Sequence, residues 1–217
     1  RRPPRSTPKP SSAASDVYKR QWLGPSFRGT YPSDFLSRPR RKIPIFHLVG
    51  ALDKLRREEV TGSEPRDGLP VCLEDWIRRD GVYCFKVKLR GTDLDWDVER
   101  TKEVAEVASE VLREKGREEF YLSVDANEMN RSPRDTLAYL RSLKKESPMA
   151  FERLLYLEQP TSRDLAGRGE PMDEVSSVRP VLADEAVTDL KSFELALQLG
   201  WSGIALKTCK WHSSCLL

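Results

Sequence analysis

The sequence lacks the marks of several common protein classes. It has no run of about 18 apolar residues, so no membrane-spanning segment is expected. Neither a GxGxxG motif after the first predicted strand nor a GxxxxGK[ST] loop occurs, which removes the main support for a nucleotide-binding sheet. The four cysteines include no CxxC pair, which argues against a zinc site and a disulfide framework. Because no apolar segment follows the N-terminal arginines, we expect a cytoplasmic protein without a secretory signal.

The chain also lacks a strong charge of either sign. Its formal net charge is +3, but six Lys and Arg against one Asp lie within residues 1–21, so the remainder is slightly acidic. We therefore expect neither a nucleic-acid nor a membrane partner. A content of 38% hydrophobic residues with five Trp is sufficient for a globular core.

The two ends differ in composition from the middle. Residues 1–21 are rich in Pro, Ser and basic residues and are predicted to be disordered; within them, SSAASDVYKRQ resembles translated sequencing-adapter text, which predicts a non-native segment. Residues 22–42 combine Gly, Pro and scattered aromatics, which indicates an irregular connection. Residues 211–217 end without a helix terminus or a polar tail, and we treat them as a second candidate non-native segment.

Residues 43–210 alternate between strand and helix patterns. Helical spacing predicts helices between the strands, and the absence of a reversal signal indicates a parallel α/β sheet. The regular spacing favours a (β/α) TIM-type barrel over an open doubly-wound sheet. Such a barrel usually takes about 250 residues and eight strands, so we expect an incomplete one with about six of eight strands. The predicted strands are 43–50, 83–89, 120–125, 154–158, 181–184 and 203–207.

The second predicted strand carries two lysines on one face. In FKVKL, Lys86 and Lys88 alternate with Phe85, Val87 and Leu89. A single lysine in a strand is usually an edge or solvent residue. Because the neighbours on the other face are all large and apolar, we expect these two lysines to point into the barrel.

Three successive predicted strands end in an acid: Asp125 in YLSVD, Glu158 in LLYLEQP and Asp184 in PVLAD. Each alone is explained by a helix cap or a turn residue. Three in succession are less easily explained so, because parallel strands of a barrel bring their carboxyl ends to one mouth. Carboxylates gathered there repel one another unless a cation lies among them, and an all-oxygen set suits Mg²⁺. The sequence thus predicts a Mg²⁺ site.

Lys207, in GIALKTCK, ends the sixth predicted strand and would lie across the barrel from Lys88. A free lysine has a pKa of about 10.4 and is a poor base at neutral pH. We therefore expect burial and a cationic neighbour, either Lys86 or the metal, to lower the pKa of the basic lysine toward about 7 to 8. Lysines on opposite sides of a carboxylate-bound metal are suited to moving a proton at carbon.

The segments FKVKL, VDAN, LEQP, ADEA and ALKTCK together resemble the enolase superfamily, in the muconate-lactonizing and dipeptide-epimerase branch of its mandelate racemase/muconate lactonizing enzyme group. The resemblance covers about residues 43–210 and implies a barrel of the modified enolase kind whose capping domain is largely absent here. At Trp211–Ser214 the chain departs from the glycine-rich turn that is usual in the family. The resemblance implies these roles: Asp125, Glu158 and Asp184 bind Mg²⁺; Lys88 and Lys207 are the acid/base pair; Lys86 tunes Lys88 and contacts the substrate carboxylate; Asn127 and Glu185 support the ligands from behind.

The implied reaction is Mg²⁺-dependent removal of a proton α to the carboxylate of a small substrate, through an enediolate intermediate. Return of the proton gives racemisation or epimerisation, whereas loss of a leaving group gives cycloisomerase or lyase chemistry. One alternative is an acid-sugar dehydratase, which would use a histidine on a later strand. Others are a non-catalytic barrel, with acids as caps and lysines binding an anion, and an inactive fragment. The resemblance also implies a homo-oligomer for the full-length protein.

Overall fold

Short apolar runs form a single parallel sheet. The computed structural model describes residue 38 and residues 41–207, so the predictions for residues 1–21 and 211–217, and for most of residues 22–42, lie outside the described residues. Six strands are hydrogen-bonded in the order of the chain, and every neighbouring pair is parallel. The strands are β1 (His47–Val49), β2 (Cys84–Lys88), β3 (Tyr121–Asp125), β4 (Leu154–Glu158), β5 (Val181–Ala183) and β6 (Gly203–Ile204).

Helical connections join successive strands, as parallel pairing of neighbours requires. A 3₁₀ turn at Arg57–Glu59 precedes the first α-helix. Within the described part of the chain, no helix combines the length and the apolarity that crossing a bilayer requires. The helices are α1 (Leu73–Asp80), α2 (Leu94–Glu114), α3 (Pro133–Glu146), α4 (Pro148–Arg153), α5 (Leu165–Arg168), α6 (Asp173–Val178) and α7 (Leu190–Gln198).

The predicted α/β class and incomplete barrel are confirmed. Strand and helix alternate along one sheet, and among the described residues the edge strands β1 and β6 each pair with a single neighbour, so the sheet is open. The alternation of β2 is also as predicted: Phe85 and Val87 are fully buried, whereas Lys86 and Lys88 on the other face are partly exposed. Burial of each large apolar side chain contributes about 1.5–3 kcal/mol, which fixes which face carries the lysines.

Several predicted boundaries are wrong in detail. Strand β1 is confined to His47–Val49 rather than 43–50, and β6 ends at Ile204 rather than at Lys207. Helix α7 is capped by Asp189, whose side chain accepts a hydrogen bond from the Ser192 N–H, although the preceding Thr188 is also a residue type that caps helices. Asp and Thr are both good caps, so composition alone could not choose between adjacent positions.

Candidate active site

The carboxyl ends of the central strands gather the predicted acids and lysines along one edge. Lys88, Asp125 and Glu158 are register partners across β2, β3 and β4, each at the last residue of its strand. Asp184 directly follows β5. The three carboxylates are buried, with exposures of 1%, 4% and 2% for Asp125, Glu158 and Asp184. Strand pairing therefore places Asp125 and Glu158 side by side, and Asp184 follows the next strand at the same edge of the sheet.

Two lysines of β2 neutralise the first two acids. The Lys86 ammonium donates a hydrogen bond of 2.6 Å to Glu158 Oε1 and lies 3.0 Å from Asp125 Oδ2. The Lys88 ammonium donates to Asp125 Oδ2 at 2.5 Å and to Asn127 Oδ1 at 2.8 Å. The Asn127 backbone N–H donates to the other oxygen of Asp125 at 2.9 Å. Each oxygen of Asp125 thus has a donor, and Asn127 bridges this acid and Lys88.

Lys207 serves the third acid, although it lies beyond the last strand. The Ala205 N–H donates to the Ala183 carbonyl at 2.8 Å, so the chain still runs alongside β5 after β6 has ended. This course brings the Lys207 ammonium into a hydrogen bond with Asp184 Oδ2 and to 3.9 Å from Glu185 Oε1. The predicted lysine therefore reaches the site from a loop rather than from a strand.

The pKa values of Lys86 and Lys207 lie above the ordinary value of lysine, not below it as expected for a base. Burial lowers the pKa of Lys86, but its hydrogen bonds to Glu158 and Asp125 outweigh burial and raise the pKa above its ordinary value. For Lys207, burial is likewise outweighed by the bond to Asp184, and the pKa is raised. Opposite charges in hydrogen-bond contact favour the ionised forms of both partners. The acids therefore outweigh burial at both lysines.

Glu158 responds to the same crowding in the opposite sense. Burial raises the pKa of its carboxyl, and the negative charges of Asp125 and Asp184 raise it further, while the hydrogen bond from Lys86 lowers it. The net direction is upward. The three acids therefore repel one another, and an additional positive charge among them would stabilise their ionised forms.

The donor chemistry of these acids fits a hard divalent cation. Three buried carboxylates supply oxygen ligands only, and this is the set that Mg²⁺ prefers. Across residue 38 and residues 41–207, no three His, Cys, Asp or Glu side chains are already arranged around one metal position. Lysine ammonium groups engage the carboxylates, so a cation would have to replace lysine hydrogen bonds to reach the same oxygens.

Strained backbone surrounds the acids, at the predicted Asn127 and at two residues that the sequence analysis did not single out, Glu128 and Gln159. Asn127, Glu128 and Gln159 have positive φ of 46°, 70° and 34°, a region that costs energy for residues other than glycine. The Glu128 N–H donates to the Gln159 carbonyl at 2.8 Å, and Arg163 pairs with the Glu128 carboxylate at 2.5 Å. The loops after β3 and β4 are therefore joined. The signal available for Gln159 was its position directly after a strand-end acid.

Comparison with solved structures finds the same fold in larger proteins. A mandelate racemase/muconate lactonizing protein from Herpetosiphon aurantiacus is 26% identical, with a TM-score of 0.50 over 64% of this chain and 35% of that one. An N-succinyl Arg/Lys racemase from Bacillus cereus ATCC 14579 is 21% identical, with a TM-score of 0.53 over 80% of this chain and 39% of that one. The chain thus spans little more than a third of the length of either protein.

No match is found among curated protein sequences. A family model described as enolase C-terminal domain-like matches residues 71–212, which include every predicted ligand and lysine of the site. That range is well over half of the 217 residues. The chain belongs to the enolase C-terminal domain-like family.

Proposed function

We propose that this chain carries the catalytic edge of a Mg²⁺-dependent isomerase that removes the proton α to the carboxylate of a small substrate. The observation that carries the proposal is the row of three buried acids at successive strand ends, with Lys88 on one side and Lys207 on the other. Membership of the family supports it, as does the likeness to the Herpetosiphon aurantiacus protein.

Asp125, Glu158 and Asp184 are the residues that would hold the cation. Their exposure of 1–4% keeps water from competing for their oxygens. When bound, Mg²⁺ supplies positive charge that stabilises the negative charge developing on the substrate carboxylate as the α-proton leaves. Asn127 fixes Asp125 from behind, since its backbone N–H donates to Oδ1 at 2.9 Å.

The lysines are the groups that would move protons. Their side chains are more exposed than the acids, at 26% for Lys88 and 39% for Lys207, so a substrate at this edge meets ammonium groups first. Three strands, β3 to β5, separate them, which sets them on opposite sides of the acids. One lysine, after it has lost a proton to become a neutral amine, takes the α-proton, and the other, as an ammonium, gives a proton to the opposite face. Return of the proton gives racemisation or epimerisation. Where the adjacent carbon carries a leaving group, the intermediate expels it instead of taking up a proton, which gives cycloisomerase or lyase chemistry.

We expect Lys86 to position the substrate carboxylate rather than to transfer a proton. It lies between Asp125 and Glu158, at 3.0 and 2.6 Å, and its side chain is 22% exposed. The Lys86 ammonium, held between the two acids and the mouth of the site, is suited to binding the substrate carboxylate.

We propose that the full-length protein works as a homo-oligomer, in line with the resemblance that suggested its activity.

Exchange of the substrate α-proton with solvent tests the proposal. The full chain is incubated in D₂O with Mg²⁺ and a panel of N-acylated amino acids, dipeptides and 2-hydroxy acids, and deuterium at the α-carbon is followed by NMR. We expect incorporation with at least one substrate, and a loss of about 10²–10⁴-fold in Lys207→Met. Lys102→Met is the matched control, because Lys102 pairs with Glu99 on the helix surface. Exchange with no member of the panel, or equal exchange in Lys207→Met, overturns the proposal.

A further inference from the structure

Gln159 is a fully buried amide directly after the central acid of the site. It is 0% exposed, although amides are normally found at the surface. Its backbone is in the left-handed region, with φ of 34°, which a residue other than glycine adopts only when its surroundings enforce it. A buried polar side chain on a strained backbone, adjacent to Glu158, indicates a specific role.

The main chain of Gln159 is hydrogen-bonded to strand β5 on one side and to the loop after β3 on the other. Its N–H donates to the Leu182 carbonyl on β5 at 2.9 Å. Its carbonyl accepts from the Glu128 N–H, in the loop after β3, at 2.8 Å. The residue after Glu158 thus connects the chain segments that follow Asp125 and precede Asp184.

The side chain completes the connection on the third acid. Gln159 Oε1 accepts a hydrogen bond of 2.8 Å from the Asp184 N–H and one of 3.1 Å from the Ala186 N–H. Its Nε2 donates to the Thr161 carbonyl at 3.0 Å, which fixes the orientation of the amide. A carbonyl oxygen with two lone pairs is well suited to receive two such donors. Gln159, in the loop directly after Glu158, thus fixes the backbone of Asp184.

From this geometry we infer that Gln159 is a positioning residue that sets Asp184 relative to Glu158 and Asp125, so that the three carboxylates can share one cation. The inference rests on the proposed function and adds a residue that acts on the metal site through the backbone of a ligand. Partners behind metal ligands typically change affinity by roughly 10–100-fold when they are lost. Gln159 lies behind two ligands at once, through the peptide bond to Glu158 and the hydrogen bond to Asp184.

Mg²⁺ titration of the full chain by calorimetry tests the inference with two variants of Gln159. Gln159→Met keeps the length of the side chain and removes the acceptor, and we expect roughly 10–100-fold weaker Mg²⁺ binding. Gln159→Glu keeps an acceptor for the N–H groups of Asp184 and Ala186 and loses only the donor to the Thr161 carbonyl, so we expect a smaller loss of affinity than in Gln159→Met. Tyr139→Phe is the control: it removes the buried hydrogen bond of 2.8 Å to Thr101, between α2 and α3, and leaves the acids untouched.

The outcomes separate this inference from the proposed function. If the wild type binds no Mg²⁺, the proposed function fails. If the wild type binds Mg²⁺ and Gln159→Met binds it equally well, or if Tyr139→Phe weakens binding as much as Gln159→Met, only the inference is overturned.

Amide hydrogen exchange keeps the test decisive if Gln159→Met does not fold. We expect the Asp184 and Ala186 amides to be protected in the wild type and in Gln159→Glu. Exchange of these two amides at the rate of exposed loop amides in the wild type would overturn the inference.

Discussion

Replacing Lys86 by methionine is expected to destabilise the metal-free protein and to make its stability more responsive to Mg²⁺. Methionine keeps most of the aliphatic stem and removes only the ammonium group. That group contacts Glu158 at 2.6 Å and Asp125 at 3.0 Å. The substitution therefore deletes charge between two acids and leaves packing nearly unchanged.

The size of the effect follows from what each acid retains. Asp125 keeps Lys88 at 2.5 Å and the Asn127 N–H at 2.9 Å, whereas Glu158 loses its bond from Lys86 at 4% exposure. Removing one partner of a buried ion pair costs about 3–5 kcal/mol. Because the Lys86 side chain is itself 22% exposed, we take the lower end, about 3 kcal/mol.

Bound Mg²⁺ is predicted to offset the stability that Lys86→Met loses. In the wild type the Lys86 ammonium competes with the cation for oxygens of Glu158 and Asp125. Without this competitor, Lys86→Met is expected to bind Mg²⁺ more tightly. Bound ligand at 100 times its dissociation constant adds about 2.7 kcal/mol of stability, enough to recover most of the loss.

Urea unfolding followed by circular dichroism, with and without Mg²⁺, provides the measurement. Lys88→Met is the matched comparison, since it removes an ammonium from the same strand while Asp125 keeps Lys86; we expect a smaller loss, of about 1 kcal/mol. Lys86→Met with wild-type stability, or with the same loss in the presence and absence of Mg²⁺, would refute the reasoning.

Three further expectations concern parts of the fold outside the row of acids. Burial lowers the pKa of His47, whose ring centroid lies 5.0 Å from that of Trp76. The stabilisation is therefore complete above the ordinary pKa of about 6.5 and falls as the pH drops toward the lower pKa of the folded state. Urea midpoints measured from pH 7 to 5 should show this component, and those of His47→Phe should lack it. The hydrogen bond from Arg163 lowers the pKa of Glu128, so its stabilisation is lost as pH falls below about 4.5; because the Arg163 side chain is 61% exposed, Arg163→Met should cost at most about 1 kcal/mol at pH 7. Leu140→Ala, at 0% exposure, should cost about 2–5 kcal/mol in thermal unfolding with unchanged Mg²⁺ affinity.

The strand endings were the part of this molecule most readable from sequence. LLYLE forms β4 with the predicted bounds, because an apolar run followed closely by Pro160 leaves little freedom for its end. The acids at the ends of β3 and β4 become neighbours through parallel pairing alone. Their proximity could therefore be inferred once the sheet was recognised as parallel.

Features that depend on the course of the loops could not be predicted from the sequence. The short helices α4 and α5 were missed, since 4 to 6 residues carry too little periodicity to distinguish a helix from a loop. Lys207 reaches Asp184 from beyond β6, which required the course of the chain after the strand. Gln159 was not predicted because its side chain accepts hydrogen bonds from two backbone N–H groups that lie 25 and 27 positions further along the sequence.

The central claim is that Asp125, Glu158 and Asp184 hold one divalent cation. Calorimetric titration of Mg²⁺ into the wild-type chain and into Glu158→Gln tests it most directly, because the amide preserves the shape of the side chain and removes its charge. We expect one binding site in the wild type and an affinity lower by at least about 10-fold in the variant. Equal affinity in the two proteins, or no binding by the wild type, would contradict it.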